Sequence, residues 1–359
     1  MTPPPPAGST LPPIAPVLIA WQRQHGRHGL PWVGSRDPYR VWLSEIMLQQ
    51  TQVSVVLDYY QRFLARFPDV RALAAASQDD VLALWSGLGY YSRARNLHHC
   101  AQVVVADHGG QFPASSAALA SLPGIGRSTA AAIAAFCFNE RCAILDGNVK
   151  RVLGRALGFA GDLAQARQEK ALWQLAEALL PETGIAAYTQ GLMDLGASLC
   201  SVRKPACDAC PLAAWCVARA EGRPEAYPVK TRKLKRSTRA HLLLWLDWGD
   251  RVWLVQRPQA GVWAGLWSLP EIDDEATLWA LTAAWPGEAR LLPAVVHVLT
   301  HLDWTLQPCH WRLPDDLGSP QRLAIEAALP PGRWVPRSEA LALGLPAPIR
   351  RWLEAGPPA

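Results

Sequence analysis

At 359 residues the chain is long enough to bury a sizeable core and to form two domains. Half of its residues are hydrophobic, yet no uninterrupted apolar run reaches bilayer length, which excludes a helical membrane span. A net charge of +5 is modest and does not by itself require a nucleic-acid partner.

The opening MTPPPPAGSTLPP lacks the basic start and apolar stretch of a signal peptide, and residues 1–12 read as a flexible Pro-rich tail. Together with clustered cysteines, this points to a reducing cytoplasm in which thiols serve metal. From about Pro13 to Glu221 the pattern is all-α. The stretch Tyr39–Phe67 holds two helices, with apolar residues recurring three and four apart. Further helices are predicted around Asp79–Trp85, Arg93–His108, Arg127–Phe138, Val149–Leu157, Gln165–Leu180 and Ile185–Leu199, with Gly and Pro at the joints. The run Lys230–Arg236 concentrates positive charge; a solvated linker and a phosphate contact explain it equally well. Beyond it the periodicity changes. His241–Asp247 and Arg251–Gln256 read as strands meeting near Gly249-Asp250, and Ala294–Leu299 with Asp303–Cys309 as another pair. Helical patterns near Glu275–Trp285 and Ala347–Glu354 make this second region α+β. The expected division is a helical domain over 13–222, a basic linker over 223–238 and an α+β domain over 239–359.

Two carboxyls stand in contrasting settings. Glu45 sits mid-helix in VWLSEIMLQQTQ, where Val41, Trp42 and Leu48 lie one turn away. Desolvation on that face raises the pKa and keeps a proton available near neutrality, as a general acid requires. A glutamate reaching solvent beside Gln49 is the plainer alternative. Asp146, in ILDGNVKRV, precedes a helix and suits an N-cap. Helix-start N–H groups are expected to hold it ionised with a low pKa, and a fixed negative charge can steady a cationic sugar during glycosidic cleavage.

The segment LPGIGRSTA joins two helices through two glycines, exposing N–H groups and a positive helix end to which a phosphate can dock. Cys200, Cys207, Cys210 and Cys216 are separated by six, two and five residues, so their thiolates converge on one metal centre. An iron–sulfur cluster and a structural zinc both take four thiolates. The intervening Ser201–Pro205 carries Arg203 and Lys204 and suggests a surface for an anion. The remaining cysteines, Cys100, Cys137, Cys142 and Cys309, are expected to be packing residues.

In order and spacing, LPW at 30–32, VWLSEIMLQQTQV, LWSGLGYY, LPGIGRSTA, ILDGNVKRVL, MDLGA and the cysteine cluster resemble MutY-type adenine DNA glycosylases of the helix-hairpin-helix superfamily. The likeness runs from about residue 16 to 220 and continues more weakly to the C-terminus. It implies a six-helix-barrel module, a 4Fe–4S module at 200–216 held by the four cysteines, and a Nudix-like C-terminal domain that reads 8-oxoguanine. The implied substrate is adenine opposite 8-oxoguanine or guanine in duplex DNA. The enzyme so implied is a cytoplasmic monomer, nucleoid-associated in a bacterial cell, with no membrane partner. By the same likeness Glu45 is the general acid, Asp146 stabilises the oxocarbenium-like sugar and Asn148 orients the site. Trp32, Ser128 and Asp194 map near the adenine pocket, and Gln50 and Tyr90 match wedge residues. Gln49, the hairpin positions Leu122, Gly124 and Gly126, the loop residues Arg203 and Lys204, and the reading residues Thr300 and His301 complete the implied DNA contacts.

Two departures matter. Ser128 stands where endonuclease III-type enzymes carry a Schiff-base lysine, which implies a monofunctional glycosylase; Lys150 is left only for incidental chemistry. The family's Phe-Ser-His reading loop is here Leu299-Thr300-His301, which keeps a hydroxyl and an imidazole but loses an aromatic ring. The C-terminal region also lacks the Glu- and Arg-rich Nudix box, so diphosphate hydrolysis is not expected. A bifunctional endonuclease III-like glycosylase/lyase and a non-catalytic iron–sulfur DNA-binding protein are the alternatives.

Overall fold

The computed structural model describes residues 11–231 and 235–356. The tail expected at 1–12 falls largely outside them, as do Arg232 and Lys233 of the basic run. Two compact units emerge, and they cut across chain order. The first takes in the chain through Tyr60, Asp69–Arg71 and the stretch from His99 to the basic run. The second comprises Gln61–Pro68, Ala72–His98 and the C-terminal region.

The first unit is helical. Ile14–His25, Pro38–Leu48, Ser116–Leu119, Arg127–Phe138, Gly147–Ala156, Ala166–Ala178 and Ile185–Ala197 are its main helices. Helix Ile185–Ala197 lies centrally and packs against Ile14–His25, Gly147–Ala156 and Arg127–Phe138. Leu18, Leu145, Val149, Leu153, Leu172, Tyr188 and Leu195 form the core between them, each almost fully buried. The alanines of RSTAAAIAAFCF keep helix Arg127–Phe138 slim, and Pro38–Leu48 packs against it. The expected helices are present within one to three residues of their bounds. Helix Val149–Leu157 begins two residues earlier, at Gly147, because Asp146 caps it.

In the second unit eight strands make one mixed sheet: β1 Ser237–Trp248, β2 Arg251–Gln256, β3 Trp267–Ser268, β4 Glu271–Ile272, β5 Glu288–Leu291, β6 Val295–Val298, β7 Leu302–Leu313 and β8 Gly332–Pro336. The main order is β3-β2-β1-β7-β5. Both expected hairpins form, β1 with β2 and β6 with β7. The centre of the sheet is a parallel pairing of β1 with β7, from Ser237↔Leu302 to Trp248↔Leu313, which local patterning did not disclose. Helix Ser319–Ala328 and the short strands β3, β4, β5 and β8 were also not anticipated.

Helix Gln78–Trp85 and the turn after it belong to this unit through specific bonds. Trp267 Nε1 donates to Asp79 Oδ2 at 3.2 Å, Ser86 Oγ and Tyr91 OH donate to the Leu345 carbonyl at 2.8 and 3.1 Å, and Arg95 Nη1 donates to the Ala264 carbonyl at 2.8 Å. No helix among the described residues is long and apolar enough to cross a membrane.

Candidate active site

Helix Pro38–Leu48 starts cleanly. Asp37 caps it by accepting from the Tyr39 N–H at 2.9 Å, and Pro38 supplies a preset φ at the first position. Two turns on, Glu45 is partly buried, with Trp42, Ile46 and Met47 buried around it. The helix ends at Leu48, and Gln50 adopts φ 57°, a costly left-handed conformation for a side-chain-bearing residue, which leaves it exposed.

Asp146 caps helix Gly147–Ala156, its Oδ1 accepting from the Val149 N–H at 2.8 Å. Glu45 and Asp146 line one cavity of about 1000 Å³ in the first unit, together with Trp32, Gln49, Gln50, Ser128, Asn148, Arg27 and Arg151. Burial, and then the charge of Asp146, push the Glu45 carboxyl up to about 8. The low pKa expected of Asp146 is not found: burial raises it, and the N–H groups of Val149 and Asn148 and the charges of Arg151 and Lys150 only partly offset that cost. The contrast between the two acids therefore comes from the donors around Asp146, which Glu45 lacks.

Asn148 is held from two sides. Its Oδ1 accepts from Arg151 Nη2 at 2.9 Å, and its Cβ lies where a side chain at Gly196 would have to go, only 2.6 Å from an added Cβ. Arg151 also donates to the carbonyls of Gly196, at 2.7 Å, and Cys200, at 2.8 Å. Ser128 lines the cavity, its Oγ accepting from the Leu145 N–H at 3.0 Å. Trp32 is nearly buried and stands edge-on to Tyr60, with ring centroids 5.2 Å apart.

Two implied positions lie beneath the surface. Asp194 is fully buried and accepts from Arg27 N at 3.1 Å and Nε at 2.7 Å, and from Gln190 Nε2 at 2.9 Å. It is Arg27 and Gln190 that it presents to open space. Leu122 is likewise buried, and at the hairpin the exposed backbone is that of Gly124, with φ 74°, and of Gly126, which precedes helix Arg127–Phe138. Arg27 and Gln190 escaped sequence reasoning because no local pattern links residues 163 positions apart.

The four cysteines are free and partly buried, and all line one small cavity with Arg155. Burial raises the Cys210 thiol to about 11 and also raises Cys216, with the other cluster thiolates adding to both. Four thiols lining a common space are a donor set that suits metal, as thiolate ligands of a structural zinc or of an iron–sulfur cluster. Arg155 is almost fully buried and donates to the Ser201 and Val202 carbonyls at 2.6 and 3.0 Å and to Cys200 Sγ at 3.4 Å. It fixes the start of the loop on which Arg203 and Lys204 are exposed.

Lys150 is engaged with Glu169, Nζ to Oε1 at 2.5 Å. At the basic run, Thr231 N donates to Asp162 Oδ1 at 3.1 Å. In the second unit, Leu299-Thr300-His301 forms the tight turn between β6 and β7, with the Leu299 N–H donating to the Leu302 carbonyl at 2.8 Å. Thr300 and His301 are exposed, and Thr300 Oγ1 lies 2.8 Å from the hydroxyl of Tyr90, itself at φ 49°.

Residues 43–178 match the HhH-GPD superfamily of base excision DNA repair proteins, and residues 241–355 match the NUDIX domain. An adenine DNA glycosylase of Buchnera aphidicola subsp. Acyrthosiphon pisum is 39% identical over 73% of this chain and 76% of its own. One from Buchnera aphidicola subsp. Baizongia pistaciae is 33% identical over 93% and 94%. Among solved structures, a thermostable thymine-DNA glycosylase, 29% identical, superposes with a TM-score of 0.52 over 58% of this chain and 95% of its own. Identity at this level, sustained across the helical region and the sheet domain together, places the chain in the adenine DNA glycosylase family.

Proposed function

We propose that the protein removes adenine, mispaired with 8-oxoguanine or guanine in duplex DNA, by hydrolysing its N-glycosidic bond and leaving an abasic site. The observation that carries this reading is the cavity shared by Glu45 and Asp146. The target nucleotide leaves the stack at a cost of a few kcal/mol, offset by phosphate contacts. Phosphates dock on the N–H groups at Gly124–Gly126 and on Arg203 and Lys204, while Gln50 and Tyr90 fill the space beside the mispair.

In the cavity the sugar lies toward Asp146 and the base toward Glu45 and Trp32. Glu45, protonated at neutral pH because burial raises its pKa, gives its proton to N7 so that adenine departs neutral. Asp146 steadies the positive charge that develops on the sugar, and Asn148 is set beside it. Glu45, now ionised, activates the water that completes hydrolysis. Gln190 donates an amide N–H to Asp194 and lines a second cavity that Glu45 and Trp32 also line, where its carbonyl suits the amino group of adenine.

Ser128 and the Lys150–Glu169 pair leave the cavity without an amine for Schiff-base chemistry, which supports a monofunctional enzyme. Cys200, Cys207, Cys210 and Cys216 would hold a 4Fe–4S cluster, whose bonds would brace the Ser201–Pro205 loop. The turn Leu299–His301 reads the opposite base, with Thr300 as donor. An abasic-site assay on duplexes with adenine opposite 8-oxoguanine, guanine and thymine tests the reading: cleavage is expected with the first two. Borohydride trapping on a damaged-pyrimidine duplex, without adenine release, would favour the bifunctional alternative.

A further inference from the structure

We infer that Lys235 and Arg239, on either side of the start of β1, bind backbone phosphates of the DNA strand opposite adenine; this rests on the role proposed above for the Leu299–His301 turn. By local pattern alone, the basic run is equally a solvated linker or a phosphate contact. What separates the two is where its last residues are tied. Arg236 Nη1 donates to the Thr300 carbonyl at 3.4 Å, and Arg236 Nη2 pairs with Asp303, just past the turn. Ser237 donates twice to the His301 carbonyl, from its N–H at 3.0 Å and from its Oγ at 3.2 Å. A solvated linker makes no such ties. These bonds fix the end of the basic run to the two residues that face the opposite base.

Lys235 directly precedes Arg236, and Arg239 lies two residues beyond Ser237, about 7 Å along the strand. Both are exposed, and neither has a carboxylate partner among the described residues, whereas Arg236 has Asp303. Here β1 is also a free edge. Strand β7 pairs with it on one side, but on the other β4 reaches only Leu242–Leu243 and β2 only Asp247–Trp248, so residues 237–240 are all exposed. For Thr300 to meet a base edge, the strand carrying that base has to pass the turn. Its phosphates then come within reach of two long, unpaired basic side chains anchored beside it. Phosphate contacts set register and orientation without reading sequence, so the pair positions the strand and the turn discriminates the base.

The test combines charge removal on both partners. Wild type, Lys235→Gln, Arg239→Gln and the double variant are bound to duplexes with adenine opposite 8-oxoguanine or guanine. Two further 8-oxoguanine duplexes carry uncharged methylphosphonate linkages, beside the 8-oxoguanine in one and beside the adenine in the other. Fluorescence anisotropy at several salt concentrations reads affinity, and circular dichroism establishes that each variant is folded. Each single change should lower the slope of log affinity against log salt by about one, and the double change by about two. Neutral linkages beside 8-oxoguanine should weaken wild-type binding at least about fivefold and the double variant less than about twofold, because its partner cations are already gone. Neutral linkages beside adenine should weaken both proteins alike. An unchanged slope in the folded double variant overturns the inference and leaves the cations as guards of a free strand edge. Equal weakening of both proteins by the linkages beside 8-oxoguanine overturns it too, as does loss of the 8-oxoguanine preference in the double variant, since the pair would then be shaping the turn. A wild-type protein with no preference for 8-oxoguanine over guanine overturns the reading role of the turn instead.

Discussion

Glu45 and Asp146 face one cavity and burial raises both, but only Asp146 is ringed by donors: the N–H groups of Val149 and Asn148 and the charges of Arg151 and Lys150. The proton of the pair therefore resides on Glu45 at neutral pH. That asymmetry is set by helix geometry. Glu45 lies in mid-helix, where backbone N–H groups are already committed to the preceding turn, whereas Asp146 stands at a helix start, where they are not.

Glu45→Gln should lower single-turnover adenine release by at least about 10²-fold while mispair affinity changes little. In wild type the rate should fall as pH rises through about 8, where the acid loses its proton. Rapid-quench rates across pH check both; loss of binding in the variant would contradict the assignment.

The same group makes stability pH-dependent. Between its ordinary value of 4.5 and about 8, folded Glu45 keeps a proton that the unfolded chain releases. Stability should consequently fall as pH rises through that window. Glu45→Gln should remove about 1–3 kcal/mol of this slope, less than full burial implies because the cavity admits water. Denaturant titrations of both proteins at pH 5 and pH 8 measure the difference.

Asp146→Asn separates capping from charge. Asparagine caps helices about as well as aspartate, so the helix and the fold should persist, with stability within about 1 kcal/mol. Adenine excision should nonetheless drop by about 10²–10³-fold, since the sugar loses its counter-charge. Normal excision by a folded Asp146→Asn protein would mean that the carboxylate only caps.

Gly196→Ala tests the support of Asn148. The added methyl would sit 2.6 Å from the Asn148 Cβ and must displace it. A displacement of this kind should cost about 10²-fold in cleavage rate, with mispair affinity retained. Single-turnover rates alongside binding curves distinguish this from general destabilisation.

Arg203→Ala and Lys204→Ala should each reduce the slope of log affinity against log salt by about one. Cys207→Ala, by releasing the loop that carries both, should weaken DNA binding and lower the same slope by about two. Fluorescence-anisotropy titrations at several salt concentrations provide the comparison. Unchanged affinity in Cys207→Ala would mean that the cysteine module is dispensable for docking.

Much of this protein could be read along the chain, since its features are local. Apolar spacing of three and four marked the helices, the hydrophobic neighbours of Glu45 foretold its raised pKa, and Asp146 was recognisable as a cap. Tight spacing alone brought the four cysteines to one place. Tertiary structure decided what depends on distant partners. It buried Asp194 beneath Arg27 and Gln190, raised Asp146 where a cap alone would have lowered it, and paired β1 with β7 in parallel across more than fifty residues of chain. Periodicity reports which face of an element is covered. It does not report what covers it, and desolvation, ion pairing and strand register are set by the covering partner.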